Sequence, residues 1–274
     1  MVSKSNFIKA TKELNEFTNH VPAPYFRRAF ESDGTPLKLT IAVCGFYELY
    51  FNGKNITRGF LSPYISNVND YVYYDVYDIT PDKGENVIGI LLGNGLRNNP
   101  GGSVWKFNQA DFRGAPAFSL SLEDTLGNTV LVSDESFRTS PSPIRSDDYR
   151  YGEHYDANFE VDGWADKGFD DSTWGYAMHE DAPKGEFKLA DVAPIVKECE
   201  IAPVDIIKTE NGSYIYDFGQ VNAGVCRLKI NGVKGQKIEL HHTDLIKDGH
   251  LCFESVWFMS DVWERSIKIV HCDS

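Results

Sequence analysis

Apolar and polar residues alternate along most of this chain with a period of two. Leu37, Leu39, Ile41 and Val43 alternate with Lys38, Thr40 and Ala42, the mark of a half-buried strand. The alternation runs on through Gly45 into Tyr47, Leu49 and Phe51. It stops at Asn52-Gly53, a dipeptide that favours tight hairpin turns. Residues 25–30 predict an earlier strand, closed by a turn at Asp33-Gly34. Phe7, Ile8 and Leu14 suggest a short helical turn, broken off by Pro22 and Pro24. Residues 71–77 predict an aromatic strand, and the apolar run over 87–92 predicts a central strand buried on both faces. Phe118, Leu120 and Leu122 alternate with Ser119, Ser121 and Glu123, and a turn at Gly127-Asn128 leads into a strand over 129–132. Short strands set off by turns, with no long helical period, predict an all-β, mostly antiparallel fold of the sandwich or jelly-roll kind.

A polar, turn-rich stretch with Pro183 and Gly185 interrupts this series. Beyond it, Tyr214-Ile215-Tyr216, then Cys226, Leu228 and Ile230, then Ile238 and Leu240 predict further strands, joined by turns at Asn231-Gly232 and Lys234-Gly235. The expected organisation is an N-terminal extension (1–21), a β-sandwich domain (22–180), a linker (181–195) and a second β-sandwich domain (196–274). The second is expected to be incomplete, because the chain ends within a strand series near Ile267 to Val270.

The chain has 274 residues, enough to bury a sizeable core. Its net charge of −13 argues against nucleic acid, which needs clustered Lys and Arg, and against an anionic membrane surface. Neutral sugars remain compatible partners. Aromatic residues make up 13% of the chain beside 23 glycines and 12 prolines, which favours turn-rich β-structure and, more weakly, carbohydrate-facing surfaces. The N-terminus lacks the apolar core of a signal peptide, and no run reaches the length of a membrane span. Cys44, Cys199, Cys226, Cys252 and Cys272 are scattered and form no C-x-x-C pair, which fits reduced thiols in a cytoplasmic protein.

Residues 149–174 fit neither a helical nor a strand period and read as a crossing segment, rich in aromatic rings and carboxylates. Its rings would seal a sheet, and its carboxylates would face water or hold a ligand. Glu153, Asp156, Asp170 and Asp171 are the dense acidic cluster. Glycoside hydrolysis needs two carboxylates about 5–9 Å apart across one bond. Sequence proximity alone does not supply that geometry, so no catalytic residue is assigned. The alternative roles are a turn capped by Asp170-Asp171-Ser172 and a pairing of Glu153 with an arginine such as Arg150.

The loop over 93–105 has no third glycine and cannot open a helix, so it is not a dinucleotide-binding turn. Two readings of it stand. Asn94, Asn98 and Asn99 offer amides to sugar hydroxyls and Trp105 a stacking face, or the asparagines serve a glycine-rich turn. Glu153 and Asp156 complete the set of candidate sugar contacts. The stretch 244–249 lacks the ligand pattern of a calcium loop and reads as a turn. His241 and His242 are adjacent on a predicted strand and point to opposite faces, which excludes a shared metal.

An ordered set of short motifs resembles the bacterial α-L-rhamnosidases. It comprises Phe46-Tyr47-Glu48-Leu49-Tyr50-Phe51-Asn52-Gly53, Tyr77-Asp78-Ile79-Thr80, Leu92-Gly93-Asn94-Gly95, Tyr151-Gly152-Glu153-His154-Tyr155-Asp156-Ala157, Gly163-Trp164, Gly168-Phe169-Asp170-Asp171-Ser172 with Trp174, and Tyr216-Asp217-Phe218-Gly219-Gln220. The resemblance implies two β-sandwich domains ahead of an (α/α)6 barrel that carries the catalytic carboxylates. This chain is expected to stop short of that barrel, and none of the family's acid or base residues has a counterpart in it. The expectation is therefore a non-catalytic N-terminal portion of a hydrolase acting on terminal α-L-rhamnose, inactive alone. No cofactor is expected from the residues themselves. The resemblance brings in calcium, because a domain of this kind binds L-rhamnose with calcium in some relatives. A lectin-like module is the first alternative. The second is a self-associating protein that uses Trp257, Phe258 and Trp263.

Overall fold

The computed structural model describes residues 2–101, 106–148, 151–233, 235–252 and 268–271. Trp105, Arg150, Trp257, Phe258, Trp263 and Cys272 lie outside the described residues. Strands dominate. Among the described residues the helical segments are three short 3-10 turns, at Lys4–Asn6, Phe107–Gln109 and Ala157–Phe159.

Two sheets pack face to face. In chain order the strands that build them are β1 (Ile8–Lys9), β2 (Pro24–Asp33), β3 (Leu37–Cys44), β4 (Phe46–Phe51), β5 (Lys54–Asn55), β6 (Tyr71–Ile79) and β7 (Lys83–Gly93). After them come β8 (Ala117–Glu123), β9 (Thr129–Val132) and β10 (Arg138–Pro141), the hairpin β11 (Ile144–Asp148) and β12 (Gly152–Asp156), then β13 (Gly175–Tyr176), β14 (Met178–His179) and β15 (Glu186–Leu189). One sheet runs β14-β1-β8-β3-β6-β15 with β9 on β8, and the other runs β13-β10-β2-β7-β4-β5. Phe26, Leu39, Ile41, Leu49, Ile88, Ile90, Phe118, Leu120 and Phe137 are fully buried in the core between them. Every second residue of each strand faces this core, which is why the period of two was visible in the chain.

Three features differ from the sequence expectation. The alternation through Gly45 is two strands, β3 and β4, which belong to opposite sheets. Gly45 has φ +133°, and a Cβ there would lie 2.5 Å from the Gly93 carbonyl oxygen, so the chain crosses the sandwich where only glycine fits. Ile8, read as helical, is in β1 and pairs with both β8 and β14. Within the segment read as a linker, β15 pairs parallel with β6.

The outer face of the six-stranded sheet is covered by the crossing segment. Trp164 stacks on Tyr25 at 4.2 Å, Tyr50 meets Trp164 edge-on, and Trp174 lies parallel to Tyr25 at 6.1 Å. The segment is fastened to the sheet by Arg27, which is 3% exposed. Its guanidinium donates to the carbonyls of Phe169 and Asp166 and pairs with Asp171. This cover lets β7 bury apolar residues on both faces. The exception to the expectation for 149–174 is residues 152–156, which form a strand after all.

Beyond β15 lie β16 (Asp205–Lys208) and β17 (Tyr214–Asp217), an antiparallel pair, and β18 (Lys237–Leu240). A second hairpin follows, β19 (Leu245–Lys247) and β20 (His250–Cys252), and then β21 (Lys268–His271). Asp248 and Gly249 turn this hairpin with positive φ, so of the stretch 244–249, expected as a turn, the last two residues are the turn and Leu245–Lys247 are a strand. Residues 226–230, expected as a strand, join no ladder among the described residues. Leu228 and Ile230 stay 39% and 41% exposed, with no facing sheet to bury their alternation.

Candidate functional site

The β11–β12 hairpin and the loop after β7 meet at one end of the sandwich, and most of the predicted sugar contacts lie there. Asn94 sits at the end of β7 and is buried. Its backbone N–H and its side-chain amide donate to the two carboxylate oxygens of Asp147, each at 2.7 Å. The same amide also reaches the Val21 carbonyl at 3.3 Å. Asn98 donates to the Asn94 side-chain oxygen at 2.7 Å and accepts from the Asn15 backbone N–H. Asn99 donates to Asp148 at 2.8 Å and accepts from the Gly101 N–H. The three asparagines are at most 1% exposed. Their amides are turned inward and tie the loop to the hairpin and to the N-terminal segment, so in this conformation they do not present themselves to a sugar. Of the two readings of this loop, the geometry is that of the turn.

Asp147 is the most perturbed carboxyl of this end. Burial raises its pKa from 3.8 to about 6, with Glu153 and Asp148 adding to the rise and the two Asn94 hydrogen bonds opposing it. Glu153 stands directly across the ladder from Asp147. Asp156, three residues on, faces the other side of its strand, where it caps the 3-10 turn at Ala157–Phe159 by accepting from the Asn158 N–H. Asp170 caps a turn by accepting from Ser172 N–H, which holds its carboxyl below the usual range, and Asp171 pairs with Arg27. The carboxyls that are dense in sequence thus have separate local roles: Glu153 lies in the hairpin ladder, Asp156 and Asp170 cap turns, and Asp171 pairs with Arg27. Among the described residues no group of three or more His, Cys, Asp or Glu is placed to hold a metal ion.

A shallow depression of about 350 Å³, its open mouth included, lies beside the same loop, lined by Phe46, Tyr64, Leu96 and Arg97 among others. Arg97, the one charge on its wall, is spent on the carbonyls of Ala115 and Phe112 and on Glu180. The depression therefore offers apolar surface and little directed chemistry.

Sequence reasoning passed over another group. Tyr25, Glu48, Tyr50, Tyr155 and Glu160 gather on the outer face of the six-stranded sheet, where Tyr50 donates to Glu48 at 2.6 Å and Tyr155 donates to Glu160. The signal that could have found them was the outward half of each strand's alternation: Tyr25 beside Phe26, and Glu48 and Tyr50 flanking Leu49.

With this geometry in hand, likeness to known proteins is informative. A family model described as alpha-L-rhamnosidase N-terminal domain matches residues 36–198, and one described as bacterial alpha-L-rhamnosidase concanavalin-like domain matches residues 207–261. An alpha-L-rhamnosidase of Formosa agariphila is 32% identical over 236 residues, covering 82% of this chain and 24% of its own length. One of Streptomyces avermitilis is 28% identical over 215 residues, covering 76% of this chain and 21% of its own length. The solved alpha-L-rhamnosidase of Dictyoglumus thermophilum matches with TM-score 0.79 at 27% identity, over 98% of this chain and 31% of that one. The Aspergillus terreus enzyme shares the fold, with TM-score 0.82 at 23% identity over 97% of this chain and 31% of that one. The chain spans about a quarter of the length of the curated relatives it matches. On the matched models and the relatives' identity together, the chain belongs to the bacterial α-L-rhamnosidase family and corresponds to its N-terminal β region.

Proposed function

We propose that this chain is a non-catalytic, accessory part of an enzyme that removes terminal α-L-rhamnose from glycans or glycosides. Its role is to bear against the catalytic part of that enzyme through the stretch 204–233. One observation carries this reading. Val204, Val221, Val225 and Val233 are 70–75% exposed, whereas the apolar side chains of the sandwich core are buried. Soluble monomers seldom leave so much apolar surface to water, and such surface marks an interaction face. The engagement of Asp156 and Asp170 in turn caps and of Asp171 in an ion pair supports a role without bond cleavage, since a glycosidase needs two acids free to face one bond.

The purified chain is expected to release no nitrophenol from p-nitrophenyl α-L-rhamnoside above the blank, and clear release would overturn the non-catalytic reading. Light scattering is expected to report self-association through the bare apolar stretch. A clean monomer that binds no hydrophobic dye would count against the docking role. A second reading, sugar binding by this chain, is favoured by the tyrosine and carboxylate group on the outer face of the six-stranded sheet and not by the asparagine loop.

A further inference from the structure

Four asparagines in this chain stand directly before a glycine: Asn52, Asn94, Asn211 and Asn231. This pairing opens an asparagine to attack from its own backbone. Glycine has no Cβ, so its nitrogen can swing onto the side-chain carbonyl carbon of the residue before it. Ring closure needs two freedoms. The asparagine side chain must rotate towards the glycine, and the glycine N–H must not be held elsewhere. The structure gives the four sites very different amounts of both.

Asn52 is held at three atoms. Its side-chain amide donates to Asn86 at 3.0 Å, its side-chain oxygen accepts from the Val87 N–H at 2.8 Å, and its own N–H donates to the Val87 carbonyl. Asn94 is 1% exposed, and the contacts with Asp147, Val21 and Asn98 fix both ends of its amide. Asn211 is exposed but tied. Its side-chain oxygen accepts from the Ser213 N–H at 3.1 Å and from the Thr209 hydroxyl, while the Gly212 N–H donates to the Thr209 carbonyl at 3.1 Å. Asn231 differs from all three. It is exposed, and neither its side chain nor the Gly232 N–H makes a hydrogen bond among the described residues.

We propose that Asn231 is a deamidation site built into the exposed stretch 204–233. The Gly232 nitrogen bonds to the Asn231 side-chain carbonyl carbon as the Cγ–Nδ2 bond breaks. The proton that the nitrogen gives up leaves with the amide as ammonia. Water then opens the cyclic imide at either carbonyl, giving aspartate or its isomer with the backbone routed through the side chain. Either product puts a carboxylate between Ile230 and Val233, which are 41% and 70% exposed. A charge covered without a partner is strongly unfavourable, so the change works against any apolar partner on that surface. This consequence rests on the docking role given to 204–233 above, whereas the site itself rests on the comparison of the four pairs.

The test is to age the purified chain at mildly alkaline pH, folded and in urea, and to follow the mass gain of amide-to-acid conversion in each Asn-Gly peptide. In the folded chain Asn231 is expected to convert first, about tenfold or more ahead of Asn52 and Asn94, whose hydrogen bonds must break before the ring can close. In urea the four rates should converge. Earlier conversion of any other pair, or an order that survives in urea, would overturn the site. Light scattering on Asn231→Asp and Asn231→Gln then reads the consequence. The aspartate variant should associate less than wild type, and the glutamine variant as much. Undiminished association of the aspartate variant would overturn the effect on the face. A wild type that does not self-associate at all would overturn the docking role, and the order of deamidation would stand apart from it.

Discussion

Asp147 takes both of its close hydrogen bonds from one residue, Asn94, through the backbone N–H and the side-chain amide at 2.7 Å each. The pair locks the end of β7 to the β11–β12 hairpin. Removing the carboxylate in Asp147→Ala strands two donors of a buried asparagine. The expected loss is about 2–4 kcal/mol, from the desolvation cost of unmet donors. Urea unfolding of variant and wild type measures it.

The same carboxyl predicts a pH dependence with a definite sign. Its folded pKa, about 6, lies above the ordinary 3.8, because burial outweighs the Asn94 hydrogen bonds. The folded state therefore prefers the protonated form. The associated stability is fully present below the unfolded pKa and is lost as pH rises through about 6. In thermal melts from pH 4 to 8, wild type should lose stability relative to Asp147→Asn across that window. Parallel profiles for the two proteins would count against the assignment.

Much of the sandwich was legible in the chain, and the reasons for the gaps are physical. The alternations at Leu37–Val43 and Phe118–Leu122 reported core-facing positions directly, because one face of each strand meets the opposite sheet. Ser119 and Ser121 looked like the wet face of β8, yet they are buried. Ser119 donates to the Ser3 carbonyl, so an N-terminal segment with no pattern of its own covers it. Period alone could not show that Gly45 divides a continuous alternation between two sheets, since the division lies in its φ of +133° and its approach to Gly93. The asparagines after β7 were visible as polar loop residues, but composition cannot say whether an amide points out or in. The tyrosine and carboxylate row was hidden for a different reason. It is assembled from β2 and β4, which ladder register brings to either side of β7, and from the crossing segment, all far apart in sequence.

Gly45→Ala tests the crossing between sheets. The substitution adds a Cβ where φ is positive and where a backbone oxygen lies at 2.5 Å, with no flexible side chain to move aside. Strain of about 1–3 kcal/mol at the backbone adds to the clash. The variant should show a markedly lower melting midpoint or accumulate as insoluble protein, whereas Gly127→Ala, in open space and also at positive φ (+85°), should lose less.

Gly89→Ala tests how the crossing segment seals the outer face. Gly89 lies in the middle of β7 with an ordinary backbone, so the effect there is steric alone. A Cβ would fall 2.8 Å from the Trp164 ring and 2.8 Å from the Ala165 Cβ. Overpacking of this kind costs about 1–3 kcal/mol when neighbours must shift. Trp164 should be lifted from Tyr25, giving red-shifted tryptophan emission and faster proteolysis within residues 160–174.

Arg27→Ala attacks the same seal from its charged side and should be more damaging. Arg27 is 3% exposed and holds Asp171 in an ion pair, while donating to the Asp166 and Phe169 carbonyls and lying over the Phe169 ring at 5.2 Å. Breaking a buried pair by deleting one partner costs about 3–5 kcal/mol, because the remaining charge is left poorly compensated. Asp171 also has Arg138 at 3.7 Å, which retains part of its compensation and sets the expectation at the lower end of that range. In Arg27→Ala combined with Asp171→Ala the stranded charge is absent, so the double variant should be no less stable than the single arginine variant. If chemical unfolding instead showed the two losses adding in full, the ion pair would not be what holds the segment on the sheet, and the two carbonyl contacts would have to carry it.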